Sequence, residues 1–337
     1  MIIGIPKEIK KHEYRIGLTP DAAKILAKNG QLLSIESGAG IGAGFFDNDF
    51  KNDALITNQK FVWLSEMIVK VKEPLKEECE LMKPEQIIFA FFHFPANPEL
   101  KKIVIEKQIR ALPYENIQLP DGSRPVLKVM SKIAAEVSVD AAIHYLKKEN
   151  GGKGVPFKDS KALVIGCEGA LGKTAFNLLK ERIKHVYGFD LPTKIKTEIT
   201  AENNYLKFSR PDYIEYFLSQ SDFVICAAAR KGEGAPKLIT RQMLKSMQAG
   251  SIIIDPSIDE GGCCETSRPT THDNPVYIEE GIIHYCVANM PGAIDYAQLS
   301  TIALVNETLP YILEVADKGL EKALKENPIL VQAAKIN

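Results

Sequence analysis

Short apolar runs alternate with amphipathic stretches along most of the chain. One series of runs falls at 2–5, 32–35, 68–71, 87–92 and 109–112. A second falls at 162–165, 186–189, 223–227, 251–255 and 284–288. Runs this short, apolar and rich in β-favouring residues predict strands buried on both faces. The stretches between them have helical spacing. Thr19 is a natural cap for a helix opening at Pro20, with Ala23, Ile25 and Leu26 along it and Gly30 as its stop. Further helices are predicted at 98–106, 131–148, 170–179 and 241–247. A long one at 299–324 contains Pro310, which should kink or break it. Alternation of this kind predicts parallel sheets covered by helices. Two series joined by long helical segments predict an α/β chain of two doubly wound parallel-sheet domains, with the polar stretch 150–160 as a linker or surface loop.

The bulk properties narrow the class. The 337 residues suit two domains better than one core. A formal net charge of −1 supplies no basic field for nucleic acid or an anionic membrane, so neither is expected as a partner. No apolar run approaches the roughly 20 residues of a membrane span, and MIIGIPKEIK lacks the marks of a signal peptide. The six cysteines form no C-x-x-C pair and have no histidine at zinc spacing. They read as buried thiols of a cytoplasmic protein, and no metal site is expected.

The stretch VIGCEGALG carries the first candidate chemistry. Gly166, Gly169 and Gly172 follow a predicted strand and open a predicted helix, the setting of a pyrophosphate-binding turn. Their spacing is G-x-x-G-x-x-G, one residue longer than the usual fingerprint, with Glu168 inserted before Gly169. The next predicted strand ends at Asp190. An acid there is placed to bond a ribose 2′-hydroxyl and to repel a 2′-phosphate, so the Rossmann reading favours NAD over NADP. Glu168 is expected to point outward; the alternative is a reduced affinity for the cofactor.

Arg15 precedes the Thr19 cap, and Lys72 and His93 sit at the ends of apolar runs. Ligands gather at the carboxyl ends of strands in open α/β sheets. Two cations and an imidazole there suit a small carboxylate substrate and proton transfer. Taken singly, each cation is as readily a solvated surface charge, and His93 a satisfied core residue. Asp255 closes the run at 251–255 and Asp259 follows in a glycine-bearing loop, and CVANMPGA closes the run at 284–288. Both loops could flank a nucleotide site or simply connect strands.

Taken together, IPKEIKKHEYRIGLTP, SGAGIGAGF, KVKEPLKEE, NIQLPDGSRP, NGGKGV, ETSRPTTHD, HYCVANMPGA and STIALVNETLPYILEVADKG resemble the L-alanine dehydrogenase family, within the wider alanine dehydrogenase and transhydrogenase group. The resemblance implies NAD-dependent, reversible oxidative deamination of L-alanine to pyruvate and ammonia by a homohexamer. It implies a substrate domain at 1–127 plus 302–337 and a Rossmann NAD domain at 128–301, with the site between them. By the same resemblance Arg15 and Lys72 bind substrate, and His93 and Asp259 are catalytic. Ser131, Gly166, Gly169, Gly172, Asp190, Ile258, Arg268, Val287, Asn289 and Met290 would hold the cofactor.

The chain departs from the family pattern mainly around the cofactor. The glycine loop carries Glu168, and Lys132 follows the matching serine where the family has glutamate. The segment PFKDS is short, and Ala229, Arg230 and Lys231 replace apolar residues. IDYAQL lacks the family's arginine, and the C-terminus stops early. Competing readings are another amino-acid or saccharopine-type dehydrogenase of the same fold, a transhydrogenase subunit, and a non-catalytic regulatory homologue with a weakened cofactor loop.

Overall fold

The computed structural model describes residues 1–195, 200–202, 205–228 and 234–336. Ala229, Arg230 and Lys231 lie outside the described residues. The chain divides into two compact units, Met1–Met130 with Pro291–Asn337, and Ser131–Met290.

The first unit is built on six strands: β1 (Ile2–Ile5), β2 (Leu32–Glu36), β3 (Leu55–Thr57), β4 (Met67–Val69), β5 (Ile87–Ala90) and β6 (Arg110–Pro113). They are hydrogen-bonded in the order β3-β2-β1-β4-β5-β6, every pair parallel. All residues of β4 and β5 are buried, as strands covered on both faces require. Strand β3 went unseen in the sequence. It has three residues on the sheet's edge, and Leu55 is exposed, so no apolar run marks it.

The helix Pro20–Lys28 begins as its sequence directs. The Thr19 side chain accepts from the Ala22 amide at 3.3 Å, and Gly30 adopts φ 83° just past its end. Pro310 does not break the long C-terminal helix. Ala297–Lys318 runs through it, because a missing N–H removes one rung while Leu304, Val305, Ile312 and Val315 bury the helix on both sides of it. The break falls at Gly319, φ 76°.

The second unit holds β7 (Lys161–Ile165), β8 (His185–Phe189), β9 (Thr200–Glu202), β10 (Tyr205–Phe208), β11 (Phe223–Cys226), β12 (Ile252–Ile254), β13 (Val276–Glu279) and β14 (Ile282–Tyr285). Their order is β13-β14-β12-β11-β7-β8-β10-β9. The six central strands are parallel, and the two edge strands β13 and β9 run antiparallel. Neither these edges nor β10 shows as an apolar run in the sequence: in β10 only Phe208 is fully buried, and β13 is half-buried to exposed. The helix Pro125–Tyr145 starts six residues before the expected 131. The stretch 150–160 lies inside the second unit and links no two units. All six cysteines are free and buried.

Candidate functional site

In the first unit the expected polar residues are held by carboxylates that the sequence reading passed over. Arg15 is almost fully buried, and its guanidinium forms a two-pronged pair with buried Glu13: Nε donates to Oε1 at 2.7 Å and Nη2 to Oε2 at 2.6 Å. The Arg15 amide also donates to Glu13 Oε1, at 3.0 Å, and Nη1 meets the Met130 sulfur at 3.2 Å. Such a fork fixes the guanidinium plane.

Lys72 follows β4 and is buried. Burial pushes its pKa down, and neighbouring Arg15 and Lys10 push the same way against Glu13 and Glu73. Its backbone is anchored from behind. Glu8 accepts from the Val71 amide at 2.6 Å and from the Lys72 amide at 3.4 Å. The buried Lys70 ammonium pairs with Glu8 at 3.1 Å and Glu78 at 3.2 Å, and donates to the Lys72 carbonyl at 3.1 Å. Burial raises the pKa of both carboxylates, and Lys70 opposes the rise.

His93 lies just past β5, half-buried, with its ring stacked on Phe91 at 5.6 Å between centroids. Its backbone has φ 48°, a left-handed geometry costing roughly 1–2 kcal/mol for a residue with a Cβ. Glu115 holds it there, accepting from the His93 amide at 2.6 Å and the Phe92 amide at 3.1 Å. The carbonyls of Phe92 and His93 accept from the Asn97 side chain, each at 3.2 Å. Burial raises the Glu115 pKa, and Lys72 is near enough to oppose it. Lys72, past β4, thus lies close enough to Arg15 and Glu13 to feel their charges, and close enough to act on Glu115, which holds the His93 backbone past β5. Glu115 sits just past β6, as Lys72 and His93 sit past their strands, so that criterion would have found it. Glu13 had only its proximity to Arg15 in HEYR as a signal.

In the second unit the glycine turn is packed to the limit. A Cβ on Gly166 (φ 81°) would stand 2.6 Å from the Ala227 carbonyl, and one on Gly172 would stand 2.1 Å from the Gly166 carbonyl. Gly169 is the N-cap of the helix Ala170–Lys180 and gives it no side-chain cap. The first-turn amides of that helix are left to face an anion. Asp190, almost fully buried past β8, accepts from the Glu168 amide and the Leu191 amide, each at 2.8 Å. Glu168 is part-exposed. Its carboxylate turns to an ion pair with Lys207 and lies 3.7 Å from Lys173, because two ammonium groups stand beside the loop.

Ser131 is half-buried on the helix Pro125–Tyr145, and Lys132 beside it is exposed. Ile258 and Asp259 lie on a single 3-10 turn after β12, with Ile258 buried and Asp259 exposed. The Asn289 amide donates to Asp259 Oδ2 at 3.4 Å, and Asn289 has φ 57°. Val287 and Met290 are buried on either side of it. Arg268 stacks its guanidinium over the Tyr277 ring at 3.9 Å. The loop carrying Asp259 is tied down by fully buried Asp255, whose Oδ2 accepts from Ser267 Oγ at 2.6 Å and the Cys263 amide at 2.8 Å. Among the described residues no cluster of histidine, cysteine, aspartate or glutamate could hold a metal, and no helix is long and apolar enough to cross a membrane.

Fold and site together define a two-unit α/β protein whose second unit is Rossmann-like. Comparison with known proteins refines that class. Residues 4–134 match the N-terminal domain of the alanine dehydrogenase/PNT family, and residues 138–337 match its C-terminal domain. An alanine dehydrogenase of Methanococcus maripaludis is 40% identical, over 98% of this chain and 92% of its own length. One of Halomonas elongata is also 40% identical, over 97% of this chain and 91% of its own. A solved L-alanine dehydrogenase structure superposes with a TM-score of 0.91 at 36% identity, covering 99% of this chain and 94% of that chain. A transhydrogenase structure from Sinorhizobium meliloti, 20% identical with a TM-score of 0.81, shares the fold over 94% of this chain and 95% of its own. The chain belongs to the alanine dehydrogenase/PNT family.

Proposed function

We propose that this protein is an NAD-dependent alanine dehydrogenase, in which L-alanine, NAD⁺ and water give pyruvate, ammonium, NADH and a proton, reversibly. The observation that carries the reading is the placing of Lys72 beside Arg15, and of the His93 backbone on Glu115 within reach of Lys72, past the carboxyl ends of one sheet, each residue held by a buried or half-buried carboxylate, in a chain of this family.

The second unit fits a dinucleotide. Its turn leaves no room for side chains at Gly166 and Gly172, and its uncapped helix offers amides to a pyrophosphate. Asp190 supplies an acceptor for ribose hydroxyls. Ser131, Gly169, Ile258, Arg268, Val287, Asn289 and Met290 complete the proposed cofactor contacts. A bound nicotinamide would supply the acceptor for the hydride that leaves the alanine Cα.

Arg15 binds the substrate carboxylate through a guanidinium whose plane Glu13 fixes. Lys72 polarises the oxygen that becomes the pyruvate carbonyl. His93 removes or returns the proton on that oxygen as water adds to the imine and ammonia leaves. Asp259 assists the water and ammonia step. The proposed assembly is a homohexamer, carried over from the family resemblance. A cytoplasmic setting suits six buried, unpaired thiols.

A spectrophotometric assay tests the reading. NADH oxidation should require both pyruvate and ammonium, with NADPH run in parallel. NADH loss independent of ammonium, or absent with both present, rejects it.

A further inference from the structure

We propose that Glu168, the residue that lengthens the glycine loop, is a cofactor-specificity residue that keeps a cluster of three lysines from accepting a 2′-phosphate. The proposal rests on the reading that the second unit binds NAD.

The pocket expected to face the adenosine ribose is not simply acidic. Asp190 ends β8, and Lys194, four residues on, sits 3.4 Å from its Oδ1. Lys207 lies on the neighbouring strand β10, paired with Gly188 of β8, and its ammonium binds Glu168 while lying 4.8 Å from the centre of the Phe176 ring. Lys173, on the first turn of the helix after the glycine loop, approaches the other Glu168 oxygen at 3.7 Å. Three ammonium groups thus gather around two carboxylates.

Asp190 alone repels a 2′-phosphate. Beside three lysines it would be outnumbered, and clustered ammonium groups are what a phosphate dianion seeks. Glu168 changes that balance in two ways. Its carboxylate engages Lys207 and Lys173, and it adds a second negative charge next to Asp190. Its backbone amide meanwhile donates to Asp190 Oδ2 at 2.8 Å, which aims the acid. The inserted residue therefore works at the ribose end of the site, away from the glycine positions at 166 and 172.

The test separates side chain from backbone. Glu168→Gln removes the charge and keeps the amide bonded to Asp190. The Glu168 and Lys207 side chains are 20% and 26% exposed, so NADH binding by the variant is the check that it folds. Fluorescence titration should show NADPH affinity rising by at least about tenfold while NADH affinity stays within about threefold. The gain should shrink with added salt, and Lys207→Gln in the Glu168→Gln background should abolish it. Unchanged NADPH affinity in a variant that still binds NADH overturns the proposal. Failure of the wild-type protein to bind NADH rejects the NAD reading first, and the proposal with it.

Discussion

Glu13 and Arg15 form a closed fork, two hydrogen bonds of 2.7 and 2.6 Å between side chains that are both almost fully buried. A buried pair of this kind is costly to halve, since the partner left behind keeps its charge without compensation. Glu13→Ala should lose about 3–5 kcal/mol of stability, read by thermal or urea denaturation. Glu13→Gln keeps the shape and should raise the KM for pyruvate while leaving NADH affinity unchanged. Wild-type stability in Glu13→Ala, or an unchanged KM in Glu13→Gln, would contradict the role given to the pair.

Lys72 gives a pH signature. Burial, then Arg15, lower its pKa from the ordinary 10.5. Between the lowered value and 10.5, the folded protein has released a proton that the unfolded chain still holds. Stability from this group is therefore present above 10.5 and lost as pH falls through the lowered value. Binding runs the other way, because only protonated Lys72 attracts the pyruvate oxygens. The KM for pyruvate should rise with pH in a window below 10.5, and Lys72→Arg should remove that limb. A wild-type KM flat up to pH 10.5 would show that Lys72 does not carry the substrate.

For His93, the choice of variant matters because φ is 48°. Asparagine tolerates that geometry better than most residues, so His93→Asn removes the imidazole with little backbone penalty. Its kcat should fall at least ~10²-fold, the size of a general acid–base contribution, with NADH binding intact. Near-wild-type turnover would remove His93 from the mechanism.

The three loop glycines should respond unequally. A Cβ at Gly172 meets the Gly166 carbonyl at 2.1 Å and has nowhere to go, whereas one at Gly169 meets the same atom at 3.2 Å. Gly172→Ala should abolish NADH binding or folding. Gly169→Ala should fold and bind NADH within about tenfold of wild type, a difference of about 1.4 kcal/mol. Equal losses in both would mean that the loop is not packed as described.

Much of this architecture was legible in the chain itself. Runs such as 87–92 and 162–165 mark strands buried on both faces, and the Thr19 cap with Pro20 marks a helix start, because local pattern and burial agree there. The edges and β10 were not legible: Leu55 on β3 is exposed and three of the four residues of β10 are only half-buried, so the apolar signal fades where one side of a strand meets water. Pro310 does not end its helix because the helix is held by its packed face rather than by its own rungs. Arg15, Lys72 and His93 were readable as polar residues near strand ends. Glu13 and Glu8 were not, since a carboxylate that anchors a backbone amide or a guanidinium looks in sequence like any surface acid; Glu115, just past β6, was open to the same strand-end criterion. The direction of Glu168 depended on Lys207, 39 residues away.

The division of the chain also sets an order of birth. All six strands of the first sheet have been translated once Pro113 is made, yet the helix that buries Leu304, Val305 and Ile312 arrives only after Ser131–Met290 has been synthesised. The second unit is one uninterrupted segment and can close on itself first. The earlier-made sheet must wait with an unfinished core, which makes it the part of the nascent chain most in need of a chaperone.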